Sequence, residues 1–393
     1  MRIVAISHDA SRTGAPRVLL TLLEWLVGTG RFDVHVGLVR GGPLEPEFRH
    51  LVDDVRVLAD GKDRISARLM RRVLPSQVNR RNGFALEQFG AHDVALVNTA
   101  TALGQLAPTR EAPIVAFVHE LLQGLRERLS EEALARLPTH AEHFIAASAA
   151  VRADLLALGV APDKASVIHE FLPSATAASP VDVELARAKM APDGGRIVLG
   201  CGTADWRKGP DLFLQAAYLV RCAHPHLDLR WVWLGGGSTS VEDARLLHDV
   251  YRYGLADVFT LVPPVEDVAP YMTAASAFVL SSRDDPYPVV VLEAASQAIP
   301  VVCFGGAGGA PDFVGRGAGV VVPYGDSGAL ASAVAELVMD QERSRGLGDA
   351  GRLLVQQEHV VTSTGPQIEA ILRQVSREWN GQSRHAAEGD RTK

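Results

Sequence analysis

Short apolar segments rich in β-branched residues recur along this chain at intervals of roughly 20 to 30 residues, and helical patterns separate them. This alternation predicts right-handed crossovers and mostly parallel sheets with both faces covered. A first series of predicted strands comprises Arg2–Ser7, Asp33–Leu38, Asp54–Leu58, Ala95–Asn98, Ile114–Val118, Phe144–Ala147 and Ala165–Ile168. A second comprises Arg196–Cys201, Arg230–Leu234, Val258–Leu261, Ala277–Leu280, Val301–Phe304 and Gly319–Val322. The predicted fold class is therefore α/β, with two doubly wound, Rossmann-like domains.

The chain of 393 residues is long for one hydrophobic core and fits two domains of ordinary size. Between the two series, residues 174–195 lose hydrophobic periodicity and gain Pro, Ala and Gly, so we place the interdomain linker there. The N-terminal domain is predicted over residues 1–175 and the C-terminal domain over 190–361. A last helical pattern follows, and residues 381–393 are expected to form a flexible tail.

The composition favours a globular protein and argues against nucleic-acid-binding and membrane-spanning proteins. With 47% hydrophobic and 22% charged residues the chain is typical of globular proteins, and its net charge of −7 argues against nucleic-acid binding. No segment approaches the ~20 apolar residues of a membrane-spanning helix, and the N-terminal apolar run is too short for a signal peptide. Cys201, Cys222 and Cys303 lack metal-site spacing, so we expect buried thiols in a reducing cytoplasm.

Residues 62–81 form a basic segment with apolar residues at helical spacing. Two interpretations stay open. The segment fits a mobile helix of the N-terminal domain with a solvated cationic face, and it also fits a peripheral contact with anionic lipid. The predicted location is the cytoplasm, with contact at the inner membrane face as the alternative.

Two carboxylates, Asp285 and Glu293, lie eight positions apart around a Val/Leu run that enters a helix. In an α/β protein this arrangement puts both acids at the carboxyl edge of a parallel sheet, where ligands of open α/β folds bind.

Residues 283–294 read RDDPYPVVVLEA. This string resembles the E-x(7)-E signature of the retaining glycosyltransferases of family four, a branch of which reads roughly R-E-D-P-F-P-L-V-V-L-E-A. The resemblance implies the GT-B architecture of two facing Rossmann-like domains, with a final helix over residues 362–380 crossing back to the first. It also implies a metal-independent enzyme that moves a hexose from a UDP- or GDP-sugar to an acceptor hydroxyl.

In that family the first acid of the pair contacts donor-sugar hydroxyls and the second binds the nucleotide ribose. The resemblance assigns these roles to Asp285 and Glu293, with Asp284 as a rival for the sugar contact. Glu293 also fits an acid in the first helical turn that complements the helix dipole.

The loop between the two acids contains prolines, which lack N–H groups. The predicted donor-binding residues of this loop are Tyr287, Pro288 and Val289, with N–H donors from Tyr287 and Val289. Relatives bind the base through backbone atoms after an earlier strand, which here points to Val262.

Arg207 and Lys208 directly precede Gly209 and a helix start, so two cations and backbone N–H groups are predicted to form an anion site. In the resembling family this loop reads G-R…K-G, with the arginine and lysine on the diphosphate. Lys208 matches that lysine. Thr203 follows Gly202 where the arginine is usual, and Arg207 is the expected substitute. A solvated helix terminus is the alternative.

In the first domain, Gly14 and Ala15 occupy a loop where family members read G-G-A. A backbone without bulk lets the chain approach a phosphate or acceptor, although a tight strand-to-helix turn explains the same residues. His119, at the end of a predicted strand, matches a family histidine that faces the donor sugar; a structural histidine is the alternative.

The leading hypothesis is thus a hexosyltransferase that needs no metal and no cofactor beyond its nucleotide-sugar donor. The acceptor, a sugar, a lipid-linked molecule or a small molecule, is not readable from the sequence. A nucleotide-sugar epimerase with the same fold and a non-catalytic binding protein stay open as alternatives. A dinucleotide-dependent oxidoreductase is disfavoured, because no G-x-G-x-x-G turn follows the first strand.

Overall fold

The computed structural model describes residues 1–58, 85–107, 111–174, 178–237 and 240–390, with side chains described as far as residue 381. The chain divides into two compact units. The first unit comprises Met1–His169 with Val361–Lys393, and the second comprises Glu170–Val360. The basic segment 62–81 lies outside the described residues.

The first unit is built on a parallel sheet of strand order β3-β2-β1-β4-β5-β6-β7. Its strands are β1 Arg2–Ser7, β2 Asp33–Leu38, β3 Val55–Val57, β4 Val94–Asn98, β5 Ile114–Val118, β6 His143–Ala146 and β7 Ala165–Val167. Its helices are Gly14–Gly28, Glu45–Leu51, Ala100–Leu103, Leu122–Arg128, Glu131–Arg136, Ala149–Ala157 and Val361–Asp390, with short 3₁₀ turns at Leu86–Phe89, Leu137–Thr139 and Pro162–Lys164.

The second unit repeats this plan with a parallel sheet of order β10-β9-β8-β11-β12-β13. Its strands are β8 Arg196–Cys201, β9 Leu229–Leu234, β10 Phe259–Val262, β11 Ala277–Leu280, β12 Val301–Phe304 and β13 Gly319–Val322. Its helices are Pro180–Met190, Pro210–Ala223, Val241–Arg252, Ala269–Ala274, Val289–Ser296, Ala310–Phe313, Ser327–Met339 and Gln341–Glu358, with a π-helical turn at Val314–Ala318.

Burial explains why these segments pair as they do. Every residue of β4, β5, β11 and β12 is buried, as expected of central strands covered on both faces. In the second unit the Phe213 ring packs edge-on against Trp231 and Trp233, with ring centroids 5.1 and 5.5 Å apart. The predicted fold class, two parallel doubly wound α/β sheets, is confirmed.

Each sheet reverses its strand order beside its first strand, between β1 and β4 in one unit and between β8 and β11 in the other. Strand-end loops diverge at such a switch point, and the crevice they leave is the usual ligand site of open α/β sheets. In each unit the loops after these strands are therefore the expected ligand-binding position.

Two segments differ from expectation. The predicted linker contains the helix Pro180–Met190, which lies within the second unit; Arg187 donates to the Ala274 carbonyl at 3.2 Å, and Lys189 donates to the Tyr271 hydroxyl at 3.4 Å. The low hydrophobic periodicity arises because only Ala186 and Met190 of this helix are buried.

The final helix runs from Val361 to Asp390, so residues 381–390 continue this helix, and the flexibility of the tail stays a prediction. This helix belongs to the first unit, where Gly365 meets the Trp25 ring so closely that an added Cβ would lie 2.7 Å from it. Arg31 and Glu369 form an ion pair at 2.7 Å beside this contact. Among the described helices, none combines the length and apolar character needed to cross a bilayer.

Candidate functional site

A buried ion pair lies at the switch point of the second unit. Lys208, after β8, donates from Nζ to Oδ2 of Asp285, after β11, at 2.6 Å. Ser282 Oγ donates to the same oxygen at 3.0 Å, and Arg207 Nη1 lies 3.7 Å from Oδ1. The Asp285 side chain is 6% exposed, that of Lys208 14% and that of Arg207 33%, so Arg207 is the cation most open to a ligand.

Electrostatics keep Asp285 ionised. Burial by itself would raise the pKa of its carboxyl, but the charges of Lys208 and Arg207, with the hydrogen bonds from Lys208 and Ser282, hold the pKa below its ordinary value. Arg207 also donates to the carbonyl of Asp284 at 3.0 Å. The Asp285 carboxylate therefore meets both cations, and the backbone carbonyl of Asp284 meets Arg207.

Two glycines, Gly202 and Gly209, shape the loop that carries Arg207 and Lys208, which we call the cation loop. Gly209 has φ +67°, and a Cβ there would lie 2.2 Å from the Ser281 carbonyl oxygen, so only glycine lets the two loops approach this closely. A Cβ on Gly202 would meet the methylene stem of Lys208 at 3.2 Å, which shows that the stem packs directly over this glycine. Asp205 Oδ1 accepts the backbone N–H of Lys208 at 3.0 Å.

Arg283 holds the cation loop against its own loop, which also carries Asp284 and Asp285 and which we call the acid loop. Its guanidinium pairs with both carboxylate oxygens of Asp211 at 2.9 and 2.6 Å and lies 5.3 Å from the Trp206 ring. Its backbone N–H donates to the Arg207 carbonyl at 2.8 Å. Sequence reasoning assigned no role to Arg283, because nothing in its spacing indicates which partners tertiary contact will supply.

The backbone of Asp285 is held by the glycine-rich loop after β12. Its N–H donates to the Ala307 carbonyl at 2.7 Å, and its carbonyl accepts from Gly309 N–H at 3.2 Å. The acid is thereby fixed at both backbone and side chain before any ligand binds.

Glu293 is the fifth residue of the helix Val289–Ser296, whose N-cap is Pro288. The interpretation of Glu293 as a first-turn acid is wrong, because this position lies beyond the first turn of the helix. The side chain is 8% exposed. Val289 begins the helix, as the loop assignment expects.

Tyr287 has a buried side chain that turns into the second unit. Its ring stacks on His359 with centroids 5.7 Å apart, and burial raises the pKa of its hydroxyl. Any contact of Tyr287 with a donor would therefore use its backbone, in line with the prediction.

The remaining predicted residues of this unit lie at the same sheet edge. Thr203 is exposed on the cation loop, and the buried Val262 ends β10, where its carbonyl accepts from Gly235 N–H at 2.9 Å. Within the described residues, no group of three or more His, Cys, Asp and Glu side chains is placed to hold a metal ion.

The first unit has its own polar cluster at the carboxyl edge of its sheet. The helix Gly14–Gly28 starts at the predicted loop, with Gly14 exposed and Ala15 partly buried. Asn98, the last residue of β4, donates to the Ala15 carbonyl at 2.9 Å and contacts Nε2 of His119 through Oδ1 at 2.8 Å. His119 follows β5, as predicted, and its ring lies 4.1 Å from that of Phe117.

Glu120 completes this cluster. Its buried carboxylate accepts from the backbone N–H groups of Ala100, Thr101 and His119, each at 3.1 Å, and from the Thr101 hydroxyl at 2.8 Å. Thr99 adopts φ 105°, a strained conformation for a residue with a side chain. Asn98, Thr99 and Glu120 were not predicted, although polar residues that directly follow apolar strands are the signal that could have identified them.

Two family profiles match consecutive parts of the chain. The profile described as Glycosyltransferase Family 4 matches residues 12–173, and the profile described as Glycosyl transferases group 1 matches residues 195–340.

Relatives with curated functions align over shorter stretches. The chain is 31% identical over 154 residues to a D-inositol 3-phosphate glycosyltransferase of Paenarthrobacter aurescens, covering 38% of this chain and 37% of the relative. It is 33% identical over 156 residues to a GDP-mannose-dependent alpha-(1-6)-phosphatidylinositol monomannoside mannosyltransferase of Mycolicibacterium smegmatis, covering 37% and 39%. The matched region thus spans less than half of each of these two relatives.

Among solved structures, HepE of Anabaena in complex with UDP-glucose superimposes with a TM-score of 0.77 at 20% identity, covering 95% of this chain and all of that one. This likeness shows the GT-B fold. Because profiles of one enzyme class match both parallel-sheet units, the chain belongs to the family-four, group 1 glycosyltransferases.

Proposed function

We propose that this protein is a retaining glycosyltransferase that moves a hexose from a nucleotide diphosphate sugar to an acceptor hydroxyl. The observation that carries the proposal is the Asp285 cluster, in which one buried carboxylate and two cations meet at the switch point of a parallel sheet. Family membership supports the reaction class, and the chemistry of these side chains supports their roles.

Departure of a nucleoside diphosphate leaves negative charge on the pyrophosphate. Arg207, whose side chain is one third exposed, is placed to bind a phosphate oxygen, and Lys208 adds a second positive charge close by. In this proposal the two cations stabilise the leaving group without a divalent metal. Donor binding would draw Lys208 toward the phosphate and leave Asp285 free to accept hydrogen bonds from sugar hydroxyls.

The other roles follow the resemblance. Glu293 binds the ribose, the backbone of Tyr287, Pro288 and Val289 lines the donor site, and Val262 meets the base. His119 contacts the donor sugar. These assignments stand as proposals for this chain.

The relatives suggest the substrates. HepE was crystallised with UDP-glucose, and the mycobacterial relative is named for GDP-mannose, so both UDP- and GDP-hexoses are candidate donors. The names of the curated relatives specify an inositol phosphate and a phosphatidylinositol mannoside as acceptors. We propose a polyol or glycan acceptor, either free or lipid-linked; a lipid-linked acceptor would bring this protein to the inner face of the membrane.

Ligand-dependent stability tests the donor site directly. A ligand at 100 times its Kd adds about 2.7 kcal/mol to the free energy of unfolding, so a thermal shift should identify the base when UDP, GDP and their hexoses are compared. Asp285→Asn should weaken the response to the sugar nucleotide more than the response to the free nucleotide. If none of these ligands raises Tm at millimolar concentration, the proposal is wrong.

Incubation with the donor alone separates the alternatives. A retaining transferase should slowly release hexose of the donor's own anomeric configuration, should do so in EDTA, and should lose this activity in Glu293→Ala. An epimerase would instead convert the donor to a new sugar nucleotide. A binding protein would show the thermal shift and neither product.

A further inference from the structure

A cavity of about 310 Å³ opens at the amino edge of the second unit's sheet, among residues that precede β9 and β10 and residues that end the helix Pro210–Ala223. Small-molecule pockets in proteins have volumes of about 300–1,000 Å³. The cation and acid loops follow strands at the opposite edge, and the six residues of β9 separate the two edges by roughly 20 Å. The cavity is therefore a second place in this unit where a ligand fits.

Arg221 and Arg230 line this cavity with most of their hydrogen-bond donors unused. Arg221 donates through Nη1 to Oδ1 of Asp257 at 2.6 Å and to the Gly254 carbonyl at 3.1 Å. Arg230 also donates through Nη1, to Oδ1 of Asp228 at 2.6 Å. Within the described part of the chain, Nε and Nη2 of both guanidinium groups make no hydrogen bond. These two nitrogens form the side of the guanidinium that binds two oxygens of a carboxylate or phosphate at once.

The acids paired with these arginines lie nearer to solvent than the arginines do. The Asp228 side chain is 65% exposed against 18% for Arg230, and the Asp257 side chain is 62% exposed against 45% for Arg221. The hydrogen bond from Arg221, with the charges of Arg221 and Arg230, lowers the pKa of the Asp257 carboxyl, so both cations act on an anion at this position. Because exposed ion pairs add little stability, either acid can turn into solvent when another anion approaches.

Two histidines and an apolar surface complete the lining. His224 and His226 contact each other edge-on with ring centroids 6.0 Å apart, and neither ring makes a hydrogen bond to the residues that the structure describes. A neutral imidazole carries one N–H donor, so each ring can donate to a ligand. Val220 and Trp231, both buried, also line the cavity and provide apolar contact for an organic group.

We propose that this cavity binds a phosphate monoester of a small organic molecule, with the phosphate at Arg221 and Arg230 and the organic part against Val220 and Trp231. The phosphate takes the place of the Asp228 and Asp257 carboxylates, which are the competing anions. A tetrahedral dianion can accept from both guanidinium groups, whereas a single carboxylate is filled by one. This site goes beyond the proposed transferase reaction and does not depend on it, because it lies at the other edge of the sheet.

The experiment follows the ring signals of His224 and His226 by NMR in histidine-labelled full-length protein, with the His224→Gln and His226→Gln spectra as assignment. We expect both signals to shift saturably with phenyl phosphate in the millimolar range. Inorganic phosphate, which lacks the apolar part, should bind more weakly, and benzyl alcohol, which lacks the charge, should leave the signals unchanged. These signals report on this edge of the sheet, so the result does not depend on ligand binding at the donor site.

Substitutions of the charged residues separate anion binding from mere stability. Arg221→Met and Arg230→Met should each weaken phenyl phosphate binding by about tenfold, the loss of one charged hydrogen-bonding group. Asp257→Asn removes a competing carboxylate and should strengthen binding several-fold, whereas a loosened structure would weaken it. Arg343→Met, at an exposed ion pair outside the cavity, is the matched control and should keep the wild-type affinity.

Three results would overturn the proposal: no saturable shift at millimolar phenyl phosphate, an unchanged affinity in the two arginine variants, or no gain of affinity in Asp257→Asn. If Arg230→Met does not fold, Arg221→Met and Asp257→Asn still decide, because both change exposed side chains.

Discussion

Removing the Lys208 charge tests the electrostatic basis of the donor site. At 2.6 Å and an effective dielectric constant of about 20, the pair between Lys208 and Asp285 attracts by roughly 6 kcal/mol, and desolvation of the two groups offsets part of this. Breaking one side of such a buried pair costs about 3–5 kcal/mol, because the remaining charge is left without full compensation. We expect Lys208→Met to lower the free energy of unfolding by that amount, measured by urea denaturation, and to reduce turnover by about 10²–10³-fold.

The pH dependence follows from the sign of the Asp285 pKa shift. In the wild type this pKa is lowered, so the pair contributes stability above the unfolded pKa of the carboxyl and loses it as pH falls through the folded value. Without Lys208, burial raises the pKa relative to the wild type. The stability deficit of Lys208→Met should therefore grow as pH rises above the wild-type folded pKa of Asp285 and level off above the variant's folded pKa. A deficit that does not shrink when the pH is lowered until Asp285 is protonated in both proteins would refute this reasoning.

Two further variants complete the test. Lys208→Met with Asp285→Asn removes both charges and should recover more than half of the lost stability while staying inactive, because a neutral side chain needs no buried counter-ion. Lys189→Met makes the same change at an exposed lysine and should alter stability by less than about 0.5 kcal/mol. A double variant as unstable as the single one would show that Lys208 acts by packing and not by charge.

Two other predictions concern the loops around this pair. Gly209→Ala should destabilise the protein more than Gly254→Ala, as measured by urea denaturation: both residues have φ +67°, but an added Cβ meets backbone only at Gly209, and equal losses would exclude the steric explanation. Arg283→Lys should weaken UDP binding several-fold in calorimetry, since lysine cannot reproduce the bidentate pair and the ring contact. Arg343→Lys, at an exposed ion pair, is the control, and equal effects of the two changes would remove the bracing role of Arg283.

Hydrophobic pattern was enough to predict the two sheets. The strands near Arg2, Ile114 and Val301 were located from apolar runs, because a strand covered on both faces must be apolar along its whole length. The same dependence on apolar residues explains why the helix Pro180–Met190 was missed. This helix buries too few side chains to show a periodic hydrophobic pattern.

The site was only partly predictable. Asp285, Lys208 and His119 were singled out by their places at the ends of predicted strands together with the family resemblance, and their roles in the reaction stay predictions. The pairing of Lys208 with Asp285, 77 positions apart, and the buried link from Asn98 to His119 were not, because spacing along the chain carries no information on such distant contacts.

By itself, the sequence determined the kind of fold, the edge of each sheet where chemistry would lie, and the residue types available there. These follow from local periodicity and from the rule that strands of a parallel sheet end at one edge. Tertiary structure alone decided that the Asp285 carboxylate meets Lys208 and Arg207 and which loop glycine a side chain cannot replace. Each of those outcomes depends on atoms brought together from separate strands, and only packing of the whole sheet sets those distances.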